Sequence, residues 1–148
     1  MNLYQRIEQD YIVAFKAKQA DIVAVLRMLK AAIKNKQVEL LRELSDAEIL
    51  DVVIKQVKQR QDSIEQFQAA RRLDLANIEE REAAILRTYL PKPLSTEELD
   101  AVLSEIIRTL GATSMKDMGK VMNAVLASYA GRVDGKELSA VVRSKLSA

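Results

Sequence analysis

The first ninety residues of the chain contain neither glycine nor proline, and this absence constrains the fold more than any other feature. The first proline is Pro91, and all four glycines lie between Gly111 and Gly135. Glycine and proline interrupt helices more strongly than other residues do. A long stretch without them, with apolar residues recurring every three or four positions, predicts long helices joined by short polar turns. The sequence therefore predicts an all-α protein.

Four amphipathic helices are predicted before Pro91, because four segments carry apolar residues at helical spacing. These segments cover residues 3–15, 25–44, 49–67 and 75–89. Asp21 and Asp74 are candidate caps of the second and fourth helices. Ser45 and Glu48 have the spacing of a capping box at the start of the third helix. Together these signals predict an N-terminal domain of long helical hairpins over residues 1–90.

Two prolines separate this region from the rest of the chain. Pro91 and Pro93 bias the residues before them away from helix, so residues 91–95 are predicted to form an extended connector. Three further amphipathic helices follow and predict a C-terminal domain over residues 96–148. Each helix is preceded by a start signal: Ser95 with Glu98, Ser114 with Asp117, and Asp134 with Glu137.

The residue types that are missing exclude most kinds of catalytic site. The chain has no histidine and no cysteine. Disulfides, thiol nucleophiles, Cys/His metal sites, histidine general bases and Ser-His-Asp triads are therefore excluded. Gly119-Lys120 lacks the upstream glycine of a Walker A loop. We expect a protein that is not an enzyme and that has no cofactor and no metal.

The sequence contains no segment that resembles a membrane span or a secretion signal. The longest wholly apolar run is Ile22–Leu26, whereas a spanning helix needs about 20 residues. The first residues lack a basic region followed by an apolar one. A cytoplasmic protein without membrane contact is expected. The sequence does not determine the oligomeric state.

Basic residues are concentrated near the carboxyl end. The net charge of the chain is only +2, but from residue 108 onward seven basic residues face three acidic ones, a local net charge of +4. Residues 97–107 carry four acidic residues and no basic one. Such asymmetry is typical of a surface that faces a polyanion. The candidate ligands for RNA phosphates are Lys116, Lys120, Arg132, Lys136 and Arg143. The alternative is that these side chains only keep the protein in solution.

Several of these candidates lie close to predicted helix starts. Lys116 and Lys120 are about one turn apart, and the free amides at a helix start favour phosphate. Gly119, between them, is predicted to lie inside a helix, where a close approach of two helices explains it most simply. Met122 and Tyr129 could instead belong to an apolar seam for a protein partner.

A secondary basic face is predicted on the second helix. Arg27, Lys30 and Lys34 are spaced so that they share one side of that helix. They could bind phosphates, but a solvated helix face explains them more simply. The six aromatic residues mostly fall on apolar stripes, so exposed rings interleaved with cations are not expected.

Four segments of the chain resemble the YqeY-like family, and the similarity extends over essentially the whole chain. The segments are RMLKAAIK (27–34), KQRQDSI (58–64), YLP (89–91) and GATSMKDMGKVM (111–122). That family is similar in turn to the tail domain of the GatB subunit of tRNA-dependent amidotransferases. The GatB-like residues are GKVM (119–122), GRVDG (131–135) and the final helix. One position departs from the family pattern, because Arg71 stands where a glycine is usual between the third and fourth helices.

The resemblance implies a non-catalytic helical module whose C-terminal unit binds tRNA or another structured RNA. In the amidotransferases, amide hydrolysis and transfer belong to other domains and another subunit. Two alternatives stay open. The chain could dock on an amidotransferase, a synthetase or another protein of tRNA aminoacylation or amidation, or it could be a carbon–nitrogen ligase with glutamine as amide donor. A DNA-binding helix-turn-helix around residues 111–114 is a weaker alternative.

Overall fold

The chain folds into seven α-helices in a computed structural model that describes residues 1–147. The helices are α1 Leu3–Lys16, α2 Ala20–Leu40, α3 Asp46–Ala69, α4 Leu73–Arg87, α5 Thr96–Leu110, α6 Met118–Tyr129 and α7 Gly135–Ser147. A 3-10 turn, Met115–Asp117, leads into α6. No strand occurs within residues 1–147, so the all-α prediction is confirmed. Ala148, the last residue of the predicted C-terminal domain, lies outside the described residues.

These helices form two compact units, one from Met1 to Leu90 and one beginning at Pro91. The first unit contains α1 to α4, and the most extensive contact in it is the long hairpin of α3 and α4. The second contains α5, α6 and α7, with α6 in contact with both of the others. In the part of the chain that the structure covers, no helix is both long and apolar enough to cross a membrane.

Two of the predicted capping boxes form as expected, whereas two predicted caps are wrong. Ser45 Oγ accepts a hydrogen bond from the Glu48 amide at 3.2 Å, and Ser95 and Glu98 form the same motif. Asp21 and Asp74 do not cap their helices and lie instead in the first turns of α2 and α4. The reason is that the turn before each of these helices ends earlier than predicted. Left-handed residues end them at Lys18 and Arg71, so each new helix begins two residues later.

The core of the first unit is built mainly from the predicted apolar stripes. Its buried residues are Ile7, Val25, Leu26, Leu29, Ile33, Ile49, Val53, Leu86 and Tyr89. Four stripe members are exposed instead: Phe15, Leu40, Leu41 and Ile78. Near the end of α1 the buried residue is Ala14, and on α4 the buried residues include Ala76 and Ala83. The inward faces of both helices are therefore rotated relative to the predicted stripes.

The core of the second unit brings one apolar face of each helix together. It consists of Leu99, Leu103, Val121, Val125, Leu138, Val142 and Leu146. Met122 and Tyr129 pack partly against it, which leaves little of a free apolar seam at these two residues. Gly119 is the second residue of α6 and not part of a helix interior. A Cβ added there would meet nothing within 4 Å, so the predicted close approach of two helices at Gly119 is wrong.

Candidate nucleic-acid interface

The cations predicted to bind RNA lie on three consecutive elements of the second unit. Lys116 belongs to the 3-10 turn, and Lys120 to the first turn of α6. Lys136 and Arg143 are seven residues apart on α7, on the side opposite the buried Leu138. All four side chains are exposed. The fold thus places these four cations in solvent, where a ligand can reach them.

Backbone amides at two of the helix starts are already occupied by carboxylates of the chain. Asp117 Oδ2 accepts hydrogen bonds from the amides of Thr113, at 3.0 Å, and Ser114, at 3.4 Å. The bond from Thr113 lowers the pKa of Asp117, and the nearby Lys120 lowers it further. At α7, Asp134 accepts from the Glu137 amide at 3.3 Å. The amides of Thr113, Ser114 and Glu137 are therefore taken, whereas the role of the remaining amides at these starts in phosphate binding stays a prediction.

Arg132 is tied into the structure of the second unit. Its Nε donates to the carbonyl oxygen of Lys92 at 2.9 Å, and its own carbonyl oxygen accepts from the Leu94 amide at 2.8 Å. The guanidinium carbon lies 5.8 Å from the centre of the Tyr129 ring. These contacts hold the segment after Pro91 against the turn between α6 and α7. Arg132 is thus half-buried and positions that turn, and its contact with RNA stays a prediction.

The acidic residues of α5 neutralise two cations that were not among the candidates. Lys145 Nζ lies 2.6 Å from Asp100 Oδ1, and Arg108 forms an ion pair with Glu105. In contrast, Lys116, Lys120 and Arg143 form no ion pair with any residue in the range 1–147. The basic residues of the second unit therefore fall into two groups. Arg108 and Lys145 are paired with acids of α5, whereas Lys116, Lys120 and Arg143 have no ion pair among the described residues.

The secondary basic face on α2 is in contact with an aromatic ring of α1. Arg27 Nη2 donates to the Tyr11 hydroxyl at 3.2 Å, and Lys30 Nζ lies 4.4 Å from the centre of the Tyr11 ring. Lys30 also lies 3.8 Å from Glu8 Oε1. Lys34 is exposed and has no ion pair among the described residues. The three basic residues of this face thus have different surroundings, although the sequence pattern treats them alike.

Phe15 is the residue that sequence reasoning missed. Its side chain is 60% exposed, and its ring centre lies 6.2 Å from that of Tyr11. The expectation that no exposed ring lies among cations is therefore wrong at this place. The sequence gave no signal for this, because Phe15 continues the apolar spacing of α1. Within the described residues, no group of acidic side chains is arranged to hold a metal ion.

Curated relatives of the chain are found among fungal proteins. An uncharacterized protein of Schizosaccharomyces pombe is 33% identical over 94 residues, which cover 64% of this chain and 76% of that protein. The protein named altered inheritance of mitochondria protein 41, mitochondrial, is 31% identical in Clavispora lusitaniae, over 87% of this chain and 79% of the relative. In Lachancea thermotolerans the protein of that name is 34% identical over 70% of this chain. The chain spans only 57% of the length of this last relative.

The names of these relatives bear on two expectations. The two relatives named above as inheritance proteins are called mitochondrial, and this finding contradicts the expectation of a cytoplasmic protein. None of the three names states an enzymatic activity.

A family-wide comparison covers nearly the whole sequence. The model described as Yqey-like protein matches residues 4–146, which include all seven helices except Leu3, the first residue of α1, and Ser147, the last residue of α7. The match extends through both compact units. The chain belongs to the YqeY-like family.

Proposed function

We propose that this protein is a non-catalytic module that binds structured RNA, and specifically tRNA, through its C-terminal unit. The observation that supports this most directly is the separation of charges in that unit. Lys116, Lys120 and Arg143 are exposed and have no ion pair among the described residues, whereas Lys145 and Arg108 are paired with acids of α5. Exposed, unpaired cations on neighbouring elements are suited to contact several phosphates of one polyanion.

Recognition of this kind reads the phosphate backbone and not the bases. The aromatic residue of the second unit, Tyr129, is half-buried against the core and lies beside Arg132, so it offers no open ring to a base. Phosphate contacts fix the position of a nucleic acid but carry little sequence information. With about three such contacts, the logarithm of the affinity should fall with the logarithm of the salt concentration with a slope of about −3. The proposed choice of tRNA rests on the resemblance to the GatB tail.

The experiment measures binding of the full-length chain to a tRNA transcript by filter binding over a range of salt concentrations. The test variant carries Lys120→Glu and Arg143→Glu together. The variant removes two cations and adds two negative charges that repel the phosphates. It should therefore weaken binding by about tenfold or more at moderate salt. A matched control carries Lys55→Glu and Lys58→Glu on α3. It changes the net charge equally, but both residues lie in the first unit, so its affinity should stay within about twofold.

Four results would contradict the proposal. The native protein could fail to bind tRNA, or the two double variants could weaken binding equally, which would show that only net charge matters. A protein partner that co-purifies in stoichiometric amount after nuclease treatment, together with absent tRNA binding, would favour the docking alternative. Turnover in a glutaminase or tRNA-amidation assay of the pure chain would contradict a non-catalytic role. Competition with duplex DNA distinguishes tRNA binding from the helix-turn-helix alternative.

A further inference from the structure

Two aromatic rings lie side by side near the end of α1, and one of them is open to solvent. The ring centres of Tyr11 and Phe15 are 6.2 Å apart with an interplanar angle of 31°. Tyr11 is half-buried against the core of the first unit, whereas the Phe15 side chain is 60% exposed. The exposed ring of Phe15 is therefore available for stacking against another ring.

Two cations of α2 contact the ring of Tyr11, and two lysines follow Phe15 closely in the sequence. The Arg27 guanidinium bonds to the Tyr11 hydroxyl and lies 6.0 Å from the centre of that ring, and Lys30 Nζ lies 4.4 Å from it. Lys16 directly follows Phe15, and Lys18 lies in the turn between α1 and α2. Both lysines are exposed and form no ion pair with a described residue. Residues 11–38 contain six basic side chains and one acidic side chain, and Glu8 of α1 pairs with Lys30, so basic residues still outnumber acidic ones around the two rings.

The position of the charges favours a nucleic acid over a protein partner. Lysine is depleted in protein–protein interfaces, whereas aromatic residues and arginine are enriched there. Here Lys30 Nζ lies 4.4 Å from the centre of the Tyr11 ring, so a lysine stands beside the aromatic pair. Exposed rings combined with cations are typical of surfaces that bind single strands, where bases stack on the rings and the cations follow the phosphates.

We propose that the surface formed by Tyr11, Phe15, Lys16, Arg27 and Lys30 binds unpaired nucleotides. One base stacks on the open face of Phe15, and Lys16 and Arg27 contact the adjoining phosphates. Tyr11 supports Phe15 from the core side, since its own ring is held by Arg27 and Lys30. This site does not depend on the proposed function of the second unit, because it lies in the first unit and recognises bases and not the phosphates of a folded RNA.

The absence of tryptophan from the chain gives a direct test. Phe15→Trp introduces a single tryptophan at the proposed stacking position, and its fluorescence should be quenched when an unstructured ten-nucleotide oligouridylate is added at low salt. Val13→Trp is the matched control. Val13 is 58% exposed and lies two residues away, so it points about 200° around α1 from Phe15. Its tryptophan should not respond to the oligonucleotide.

Affinity measurements on the full-length chain complete the test. By fluorescence anisotropy with a labelled oligouridylate, Phe15→Ala should weaken binding about tenfold, and Val13→Ala should leave it within about twofold. Both residues are exposed, so both variants should keep the native melting temperature. In the background of Lys120→Glu and Arg143→Glu, Phe15→Ala should still weaken oligonucleotide binding about tenfold, which separates this site from the one on the second unit.

Any of three outcomes would overturn the inference. The native chain could fail to bind the oligonucleotide, Phe15→Ala and Val13→Ala could have the same affinity, or quenching could occur equally at both tryptophan positions. If oligonucleotide binding is absent and Phe15→Ala abolishes binding of a purified protein partner, the surface is a protein-docking site and the inference is wrong.

Discussion

Arg60 and Glu82 join α3 to α4 through a hydrogen bond from Nε to Oε2 of 3.2 Å. Arg60 is 6% exposed, and its Nη2 also lies 4.0 Å from the sulfur of Met28 on α2. A charged side chain this deeply buried is uncommon unless it is paired. Glu82 supplies that pairing from a side chain that is 30% exposed, so it is only partly removed from water.

Removing the carboxylate of this pair should destabilise the protein. We expect Glu82→Ala to lower the free energy of unfolding by about 2 kcal/mol, because it leaves the Arg60 cation buried without a partner. The loss is smaller than for a fully buried pair, since water can reach the vacated position. Urea denaturation provides the measurement. Glu80→Ala is the control on the same helix, because Glu80 forms an exposed ion pair with Arg87 and should cost less than about 0.5 kcal/mol. Equal losses in both variants would show that the burial of Arg60 is unimportant.

The turn between α3 and α4 carries an avoidable backbone cost. Arg71 has a φ of 58°, in the left-handed region that favours glycine. We expect Arg71→Gly to raise the stability by about 1 kcal/mol, measured by thermal or urea unfolding. Arg71→Ala removes the same charge but keeps the strained conformation, so it should give no gain. A gain of equal size in both variants would assign the effect to charge.

Two glycines of the second unit should respond to alanine in opposite ways. Gly119 lies in the first turn of α6, and a Cβ there would meet nothing within 4 Å. Gly119→Ala should therefore raise the stability by about 0.5 kcal/mol. Gly111 also has open space around it, but it ends α5 with a φ of 65°. Gly111→Ala should cost about 1 kcal/mol, because the backbone and not the packing resists a side chain. Unfolding curves of the two variants test this, and a loss of stability in Gly119→Ala would contradict the open environment.

The carboxylate of Glu48 should titrate at unusually low pH. The hydrogen bonds from Arg42, both of 2.8 Å, and from the Ser45 amide lower the pKa of Glu48 from 4.5 to about 2. Because the pKa is lower in the folded protein, the stabilisation from this group is complete above pH 4.5 and is lost as the pH falls towards 2. Carboxyl carbon NMR measures the midpoint directly. Arg42→Gln should move the midpoint up towards the ordinary range, and a midpoint near 4.5 in the native protein would contradict the geometry.

Local patterns in the sequence predict most of the fold. Period and capping signals identify the seven helices and most of the buried residues, because both depend on neighbours within one or two turns. The starts of α2 and α4 escape this reasoning. They are set by the left-handed residues Lys18 and Arg71, which are not of a type that marks such a conformation.

Contacts between distant parts of the chain could not be predicted. The spacing of Arg60 and Glu82 does not show that they meet, since it depends on how α3 and α4 pack. The same holds for the Arg132 bond to a carbonyl forty residues earlier. Phe15 looks like a core residue because its spacing continues the apolar stripe, and only the orientation of α1 places it in solvent. The candidate sites thus depend on tertiary packing more than the helices do.

The Asp117 carboxylate, by bonding to the amides of Thr113 and Ser114, also affects which anions the second unit can distinguish. Because these two amides already bond to Asp117, they are not available to a small solute such as inorganic phosphate or a nucleotide, and a contact with one exposed lysine or arginine side chain is weak in water. A long polymer engages several of them at once, and its contacts reinforce one another. Abundant metabolites should therefore compete poorly, and the protein should remain available to macromolecular ligands in a cell crowded with small anions.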